Sequence, residues 1–454
     1  MSRKRGKKHD PGTSRREFIK ASSLLVVGGG LGGGRASRAY GTEPIRIGLI
    51  GCGSRGTAAA VQALNTADSE DLRPNGPVQL VALADIFADR LQRAYRSVKS
   101  KHPDRVAVPP DRQFTGFDAY RRLLECPLDL VLLATPPGFR PLHFEAAVQR
   151  GRHVFLEKPL ATDPAGIRRL LVANQQAESQ GLRVAVGLQR RHEDKYQEVI
   201  ARLQQGAIGE RIYARVYWTG GAGVVKPRQP QQTELEYQLR NWHNFNWLSG
   251  DPLCEQHIHN LDVGNWLMGG PPDACQGQGG RQVRTGDQYG EVFDHHFLEY
   301  TYPTGTKLFS QCRFIPGCWN SVAEHVHGTR GHADISGGKI YGPQGELVWR
   351  CDSRGNGHQG EMDHWFGCLR RGEPCNEVEQ GAASTLTAIM GRMASYSGLT
   401  VRWPDVVASD VVLADVDRLQ SLQDPAPVQP LARPALIRET YAIAAPGQPS
   451  GASS

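Results

Sequence analysis

The stretch EPIRIGLIGCGSRGTAAAVQAL, residues 43 to 64, restricts the fold more than any other part of the chain. Ile45, Ile47, Leu49 and Ile50 form a short apolar run that reads as a buried strand, and the alanine-rich sequence after it reads as a helix. Between them stand Gly51, Gly53 and Gly56 in the spacing G-x-G-x-x-G, with Ser54 and Arg55 on the same turn. There the first glycine permits a tight turn and the second lets a pyrophosphate approach the backbone, while the helix start offers free N–H groups to the anion. The same spacing recurs at Gly28, Gly30 and Gly33, but no strand precedes it, so it carries no such implication.

A second strand, VQLVALA (78 to 84), ends at Asp85. A carboxylate there would bond the adenosine ribose and repel a 2′-phosphate, which favours NAD over NADP. The interval from Gly56 to Asp85 is longer than the usual ~20 residues. The polar stretch TADSEDLRPNGP (66 to 77) reads as a loop insertion that accounts for the excess. Further units follow: a helix over 117 to 125, the strand LDLVLLA (128 to 134), a break at Thr135-Pro136-Pro137, a helix over 142 to 151 and the strand HVFLEKP (153 to 159). Such alternation predicts an α/β Rossmann-type parallel sheet with its ligand at the carboxyl ends of the strands; Thr135, Pro136, His143 and Glu157 are further expected at the cofactor. A doubly wound domain that binds no nucleotide would share much of this pattern.

At 454 residues the chain is too long for one core, and two domains plus appendages are expected. With 22% charged and 39% hydrophobic residues it has the composition of a globular enzyme. The formal charge of +7 lies in the leader: residues 1 to 39 hold ten Lys/Arg against two Asp/Glu, leaving 43 against 44 elsewhere. The near-neutral body removes the main support for a nucleic-acid partner or a membrane surface.

SRREFIK (14 to 20), then ASSLLVVGGGLGGG (21 to 34), then the small-x-small pair Ser37 and Ala39 before Tyr40, resembles a twin-arginine export signal. A basic unstructured tail is the other reading. The apolar run is too short to span a bilayer, so a periplasmic or other extracytoplasmic location without a membrane anchor is expected. Proteins exported this way cross already folded, often around a cofactor. The nine cysteines include no C-x-x-C, and most are expected to remain buried thiols.

From Arg183 the texture changes: a strand and a helix (194 to 206) lead into RIYARVYWT, HFLEYTY, KLFSQCRF, SVAEHVHG and GELVWR, alternating or β-rich segments mostly divided by turn residues. They predict a mostly antiparallel sheet. His325 and His327, two apart on one strand, should share one face, either against substrate or in solvent. The segment CEQHIHNLD, 254 to 262, is the most polar-reactive in the chain. If 254 to 266 is one helix, Glu255, His259 and Asp262 lie on one face while His257 points elsewhere. Glu255 and His259 could also be two ligands of a metal, with His257, His192 or the 325/327 pair, but no spacing forces convergence and no metal is expected.

From about 45 to 402 the blocks IGLIGCGSRG, ALAD, LLATPPGFRPLHFEAAVQRGRHVFLEKPLA, VAVGLQRRHEDKYQEVI, QGAIGERI and GDPLCEQHIHNLDVGNWL occur in order. Together they resemble the Gfo/Idh/MocA oxidoreductases, the family of glucose-fructose oxidoreductase and inositol dehydrogenase. The resemblance implies an open-faced antiparallel sheet as second domain, substrate held between the domains, and a homo-oligomer formed through the open sheet. It assigns Lys158 a catalytic or substrate-orienting role, with Pro159 biasing it towards an extended backbone at a strand end. It makes His259 the general base, its ordinary pKa of about 6.5 suiting proton removal near neutrality. Glu255 would orient the imidazole or bind a sugar hydroxyl, Lys158 would stabilise an alkoxide and Asp262 would cap or orient. Glu255 stands where many members have aspartate, and His257 where many have glycine. Arg191, Tyr196, Trp242 and Asn260 are expected to reach substrate, with NWHNFNWLSGD (241 to 251) as its wall.

The expected organisation is therefore a signal (1–39), an NAD-binding domain (40–160), a substrate and oligomerisation domain (161–403) and a C-terminal arm with a frayed tail (404–454). The expected activity is NAD-dependent oxidation of a carbohydrate or polyol. Alternatives are a redox-neutral hydrolase, lyase or epimerase that works through transient oxidation, and a non-catalytic sugar binder.

Overall fold

The computed structural model describes residues 39–69, 72–221, 223, 225–353 and 355–430; the expected signal therefore lies outside the described residues. Among those residues the chain forms two sheets, and the elements follow the apolar patterning closely.

Strands β1 (Ile45–Ile50), β2 (Val78–Asp85), β3 (Gln113–Thr115), β4 (Leu130–Leu133), β5 (His153–Leu156) and β6 (Val184–Val186) pair in parallel in the order β3-β2-β1-β4-β5-β6. All four residues of β4 and of β5 are buried, as required of strands covered by helices on both faces. Helix α1 (Ser54–Asn65) turns Gly56, Ala59, Ala60, Ala63 and Leu64 to the sheet. Small residues there bring the helix close to the strands. The strand order reverses between β1 and β4, which leaves a crevice beyond their carboxyl ends. The sheet takes in β6, so it runs past the boundary expected at residue 160.

The second sheet has nine strands. After α1 the helices are, in chain order, α2 (Ala88–Lys101), α3 (Ala119–Leu124), α4 (Arg140–Gln149) and α5 (Pro164–Ser179), all before β6, and α6 (Asp194–Gln204), which leads from β6 into this sheet. The strands are β7 (Arg211–Gly220), β8 (Ala274–Gly280), β9 (His295–Thr301), β10 (Lys307–Phe314), β11 (Ser321–Gly328), β12 (Gly331–Asp334), β13 (Lys339–Tyr341), β14 (Leu347–Arg350) and β15 (Val401–Arg402). Their order is β14-β13-β12-β11-β7-β10-β9-β8-β15, antiparallel throughout except for the β7/β10 pair. One face, carrying Ala214, Val216, Leu308, Cys312 and Val326, is buried in the core with residues of two helices, 258–268 and 378–397. On the other face rings stack from strand to strand: Tyr213 on His327 with centroids 4.7 Å apart, His327 on His332 at 5.3 Å, His332 on Tyr341 at 4.8 Å. Each is a directly opposed cross-strand pair. His325 and His327 thus share the outer face, away from the helices that carry the candidate catalytic groups.

The segment after β15 is pinned rather than free as far as residue 430. Asp417 pairs with Arg169 at 2.6 Å, Leu413 N–H donates to Asp163 Oδ2 at 2.9 Å, and the Thr233 hydroxyl donates to the Leu422 carbonyl at 2.6 Å. All nine cysteines are free thiols and six are buried. No helix among the described residues is long and apolar enough to cross a membrane.

Candidate active site

A cavity of about 870 Å³ opens at the carboxyl ends of β1 and β2. Its wall includes Gly51, Gly53, Ser54, Arg55 and Gly56, then Asp85, Thr135, Pro136 and His143, and at its far end Trp242 and Glu255. The glycines divide by function. Gly51 holds φ +97°, and a Cβ there would lie 2.6 Å from the Ala134 carbonyl carbon. At Gly56 a Cβ would stand 1.9 Å from the Gly51 oxygen, so only glycine lets α1 start this close to the strand. At Gly53 a Cβ would meet nothing within 4 Å. The space over Gly53 is open to a ligand, and α1 has no side-chain cap and no acidic residue in its first turn. Its N–H groups are free to bind a pyrophosphate.

Asp85 accepts from Cys52 N–H at 2.7 Å and from Phe87 N–H at 2.9 Å. Burial raises its pKa from the usual carboxylate range, against those two N–H groups. A carboxylate has about four lone-pair sites, so it retains capacity for two ribose hydroxyls at the cavity wall. Thr135 Oγ1 lies 3.1 Å from His143 Nδ1. Burial, with Arg140 and Arg169 nearby, pulls His143 down to about 3, so it is neutral. Glu157 does not form part of the wall; it pairs with Arg55 at 2.7 Å and so ties the glycine turn to the end of β5. The donors and the open space fit a dinucleotide.

Beyond the cavity the polar block folds differently from the single helix expected. A short helix, α9 (Pro252–Glu255), is followed by a break at Gln256 and His257, and α10 (Ile258–Met268) starts afresh; the preceding helices are α7 (Glu234–Arg240) and α8 (Asn246–Ser249). Both Gln256 and His257 N–H donate to the Pro252 carbonyl at 3.0 Å, the first an ordinary α-helical bond and the second a wider i→i−5 bond that unwinds the turn. Asp251, capping α9 in a left-handed conformation with φ 84°, is fixed by Tyr396 at 2.8 Å and His296 at 3.0 Å. His257 does point elsewhere, to Ser310 Oγ at 2.7 Å in the core.

The break still brings two of the three expected groups into contact and leaves the third, His259, within the field of Lys158. Lys158 Nζ donates to the Glu255 carbonyl and lies 3.2 Å from Glu255 Oε1. Burial pushes the Glu255 carboxyl up, but Lys158 and His243 outweigh it and hold it at about 2. His243 Nδ1 is 3.6 Å from Glu255 Oε2. His259 is 7% exposed and stacks on Trp218 at 6.0 Å. Burial first, then Lys158, Arg190, His358 and Arg55, hold its pKa well below the ordinary value, so the imidazole is neutral. Its Nδ1 is buried and has no hydrogen-bond partner among the described residues. Neither Lys158 nor His259 belongs to the cavity wall, which ends at Glu255 and Gln256.

Of the four single residues expected at substrate only Trp242 lines the cavity, while Asn241, His243 and Asn244 of the expected wall segment line it too. The Arg191 guanidinium is committed to Asp262 at 2.8 and 2.9 Å. Tyr196 is 3% exposed and donates to Glu324 Oε2 at 3.1 Å. Asn260 is fully buried, its amide donating to Glu324 Oε1 at 2.5 Å. Trp247 is a core residue bonded to Gln238 at 2.7 Å. For Tyr196 and Asn260 the cause is Glu324, a carboxylate on the inner face of β11 that Arg190 also pairs; an acid buried there recruits donors within reach. Two contributors escaped sequence reasoning. His243 sits inside the aromatic segment read as a substrate wall, where its density of polar rings was the available signal. Arg140, buried in GFRPLHF, donates to the carbonyls of Thr135 and Pro159 and so joins the ends of β4 and β5.

Fold and cavity together define a two-domain protein built around a dinucleotide site. The chain belongs to the Gfo/Idh/MocA oxidoreductase family: residues 45–188 match the model described as oxidoreductase family, NAD-binding Rossmann fold, and residues 196–334 match the GFO/IDH/MocA C-terminal domain. The cofactor of the first domain is NAD. An inositol 2-dehydrogenase of Acidothermus cellulolyticus is 29% identical over 225 residues, 49% of this chain and 53% of that protein. A glycosyl hydrolase family 109 protein of Solibacter usitatus is 29% identical over 160 residues, 33% of each chain. The chain thus spans about half the length of the curated relatives it matches first. A levoglucosan dehydrogenase solved with NADH and levoglucosan superposes with TM-score 0.63 at 17% identity, over 80% of this chain and 100% of that one, a likeness of fold.

Proposed function

We propose that the protein is an exported oxidoreductase, with tightly held NAD, that oxidises a hydroxyl of a carbohydrate or polyol. The observation that carries this reading is the Lys158–Glu255 pair at the end of the dinucleotide cavity, with the neutral, buried His259 imidazole in the field of Lys158. Bound NAD would supply a hydride acceptor. His259 takes the hydroxyl proton, for which its unprotonated state is required. The Lys158 ammonium, fixed by two Glu255 oxygens, stabilises the developing alkoxide. Glu255, held ionised, offers an acceptor to a neighbouring hydroxyl.

Export rests on the leader sequence alone. An exported enzyme meets no soluble nicotinamide pool, so retaining the cofactor and restoring it in place follow from that location. The ring-studded outer face of the nine-stranded sheet supports a homo-oligomer built through it.

A redox-neutral hydrolase, lyase or epimerase is the second reading, favoured by the likeness to the family 109 protein over 160 residues. One experiment separates the readings. Protein purified from a host that exports it is examined for bound nicotinamide by absorbance and fluorescence, then offered free sugars, inositols and aryl glycosides. Net reduction of the cofactor by a sugar or polyol is the expected result. Phenol release without net reduction selects the second reading, and bound sugar with no turnover selects a binding protein.

A further inference from the structure

Beside the start of the edge strand β6, three soft ligands converge that the proposed reaction does not use. Helix α11 (Gly357–Arg371) carries His364 and Cys368 one turn apart, and Cys375 follows shortly after the helix ends; the next helix is α12 (Val378–Ser397). The imidazole nitrogen and the two sulfurs lie within 4.8 Å of one another, with His364 Nε2 3.9 Å from Cys368 Sγ. Tetrahedral zinc with bonds near 2.0–2.3 Å needs such ligands about 3.5–3.8 Å apart, so side-chain adjustments that shorten the widest separation by about an ångström close the triangle.

We propose that His364, Cys368 and Cys375 bind one zinc ion per chain. An i, i+4 pair on a helix shares one face, which aligns the first two ligands. The third is held by backbone. Gly372 closes α11 with φ 76°, Glu373 N–H returns to the Cys368 carbonyl at 3.0 Å, and the segment then bridges to the edge of β6. There Val184 N–H donates to the Cys375 carbonyl at 2.9 Å and Glu377 N–H to the Val184 carbonyl at 3.0 Å. His192 packs its ring 5.3 Å from that of His364 and lies 3.2 Å from Glu377 Oε1, forming an outer layer around the ligands.

Two thiolates and an imidazole select a thiophilic d¹⁰ ion over magnesium or calcium. Two thiolates also cancel the charge of Zn²⁺, so binding releases two thiol protons and leaves the site neutral. His364 is exposed, which leaves the fourth position to water. The ion would tie α11 to the edge strand β6. Earlier on the same helix, Glu361 lies in the field of Glu157 and Arg55, so the clamp steadies a helix that flanks the cofactor turn.

The test uses full-length protein purified without a metal-affinity tag, stripped with chelator under reductant, and titrated with Co²⁺ and then Zn²⁺. The expected result is one Co²⁺ per chain with a thiolate-to-cobalt charge-transfer band, displaced by one equivalent of Zn²⁺. Cys375→Ser and Cys368→Ser lose the band and weaken Zn²⁺ binding at least about 100-fold, while Cys318→Ser, at an exposed cysteine elsewhere, keeps it. Should the buried Cys368 variant fail to fold, His364→Ala at the exposed ligand and Cys375→Ser carry the test, with an unchanged circular dichroism spectrum as the folding control. Absence of a charge-transfer band overturns the proposal, as does a band that survives these substitutions. Peptide mapping of unreduced protein that finds Cys368 and Cys375 joined as a disulfide overturns it as well.

Discussion

His259 must be neutral to accept a proton, and its surroundings make it so: it is buried among Lys158, Arg190, His358 and Arg55, all of which disfavour the imidazolium. A base whose pKa is lowered in the folded protein stays competent as the pH falls through its ordinary value. The acid limb of kcat/KM is therefore expected below pH 6.5, and a midpoint at or above 6.5 would contradict the assignment. Lys158→Met is expected to lower kcat by about 10²–10³-fold through loss of the charge that meets the alkoxide. It should also raise the Glu255 pKa, readable by carboxyl infrared titration, because Lys158 is the main group holding that pKa down. At this scale the sequence was legible where a motif constrained it, as for Lys158, Glu255 and His259. Tyr196 and Asn260 went astray because their partner, Glu324, is distant in the chain and nothing local marks it as buried.

At the scale of elements, Gly53 and Gly56 perform different tasks although the motif treats them alike. Gly53→Ala places its Cβ in open space at φ −70°, so the protein should melt as the parent does and lose NAD affinity, measured by calorimetry. Gly56→Ala drives a Cβ into the Gly51 carbonyl and should cost about 1–3 kcal/mol of stability, read by denaturant unfolding. Equal effects of the two substitutions would refute this division. Strand β10 was legible to the residue, because its alternation is undisturbed. The break between α9 and α10 was not: Glu255, His259 and Asp262 suit one helical face, and only the Asp251 cap and the pull of Ser310 on His257 reset the turn. Asp262 consequently serves Arg191 and the Ser384 hydroxyl, 2.7 Å away, rather than the site.

For the whole molecule, alternation of short strands and helices followed by alternating β-segments is enough to foretell both sheets, since each pattern leaves few ways to bury its apolar face. It does not foretell which sheet a border strand joins, and β6 went to the first. On the outer face of the second sheet Phe297 is 42% exposed and pairs with Phe309 at 6.4 Å. A homo-oligomer through that face predicts that sedimentation finds a multimer and that Phe297→Glu with Phe309→Glu shifts it to monomer. A monomeric parent would remove the proposal.

Stopped-flow reduction of bound NAD by the best sugar or inositol, compared between the parent and His259→Ala, isolates the step in which His259 takes the hydroxyl proton. The variant is expected to bind NAD as tightly as the parent and to reduce it about 10²–10⁴-fold more slowly. Reduction at the parental rate would contradict that role.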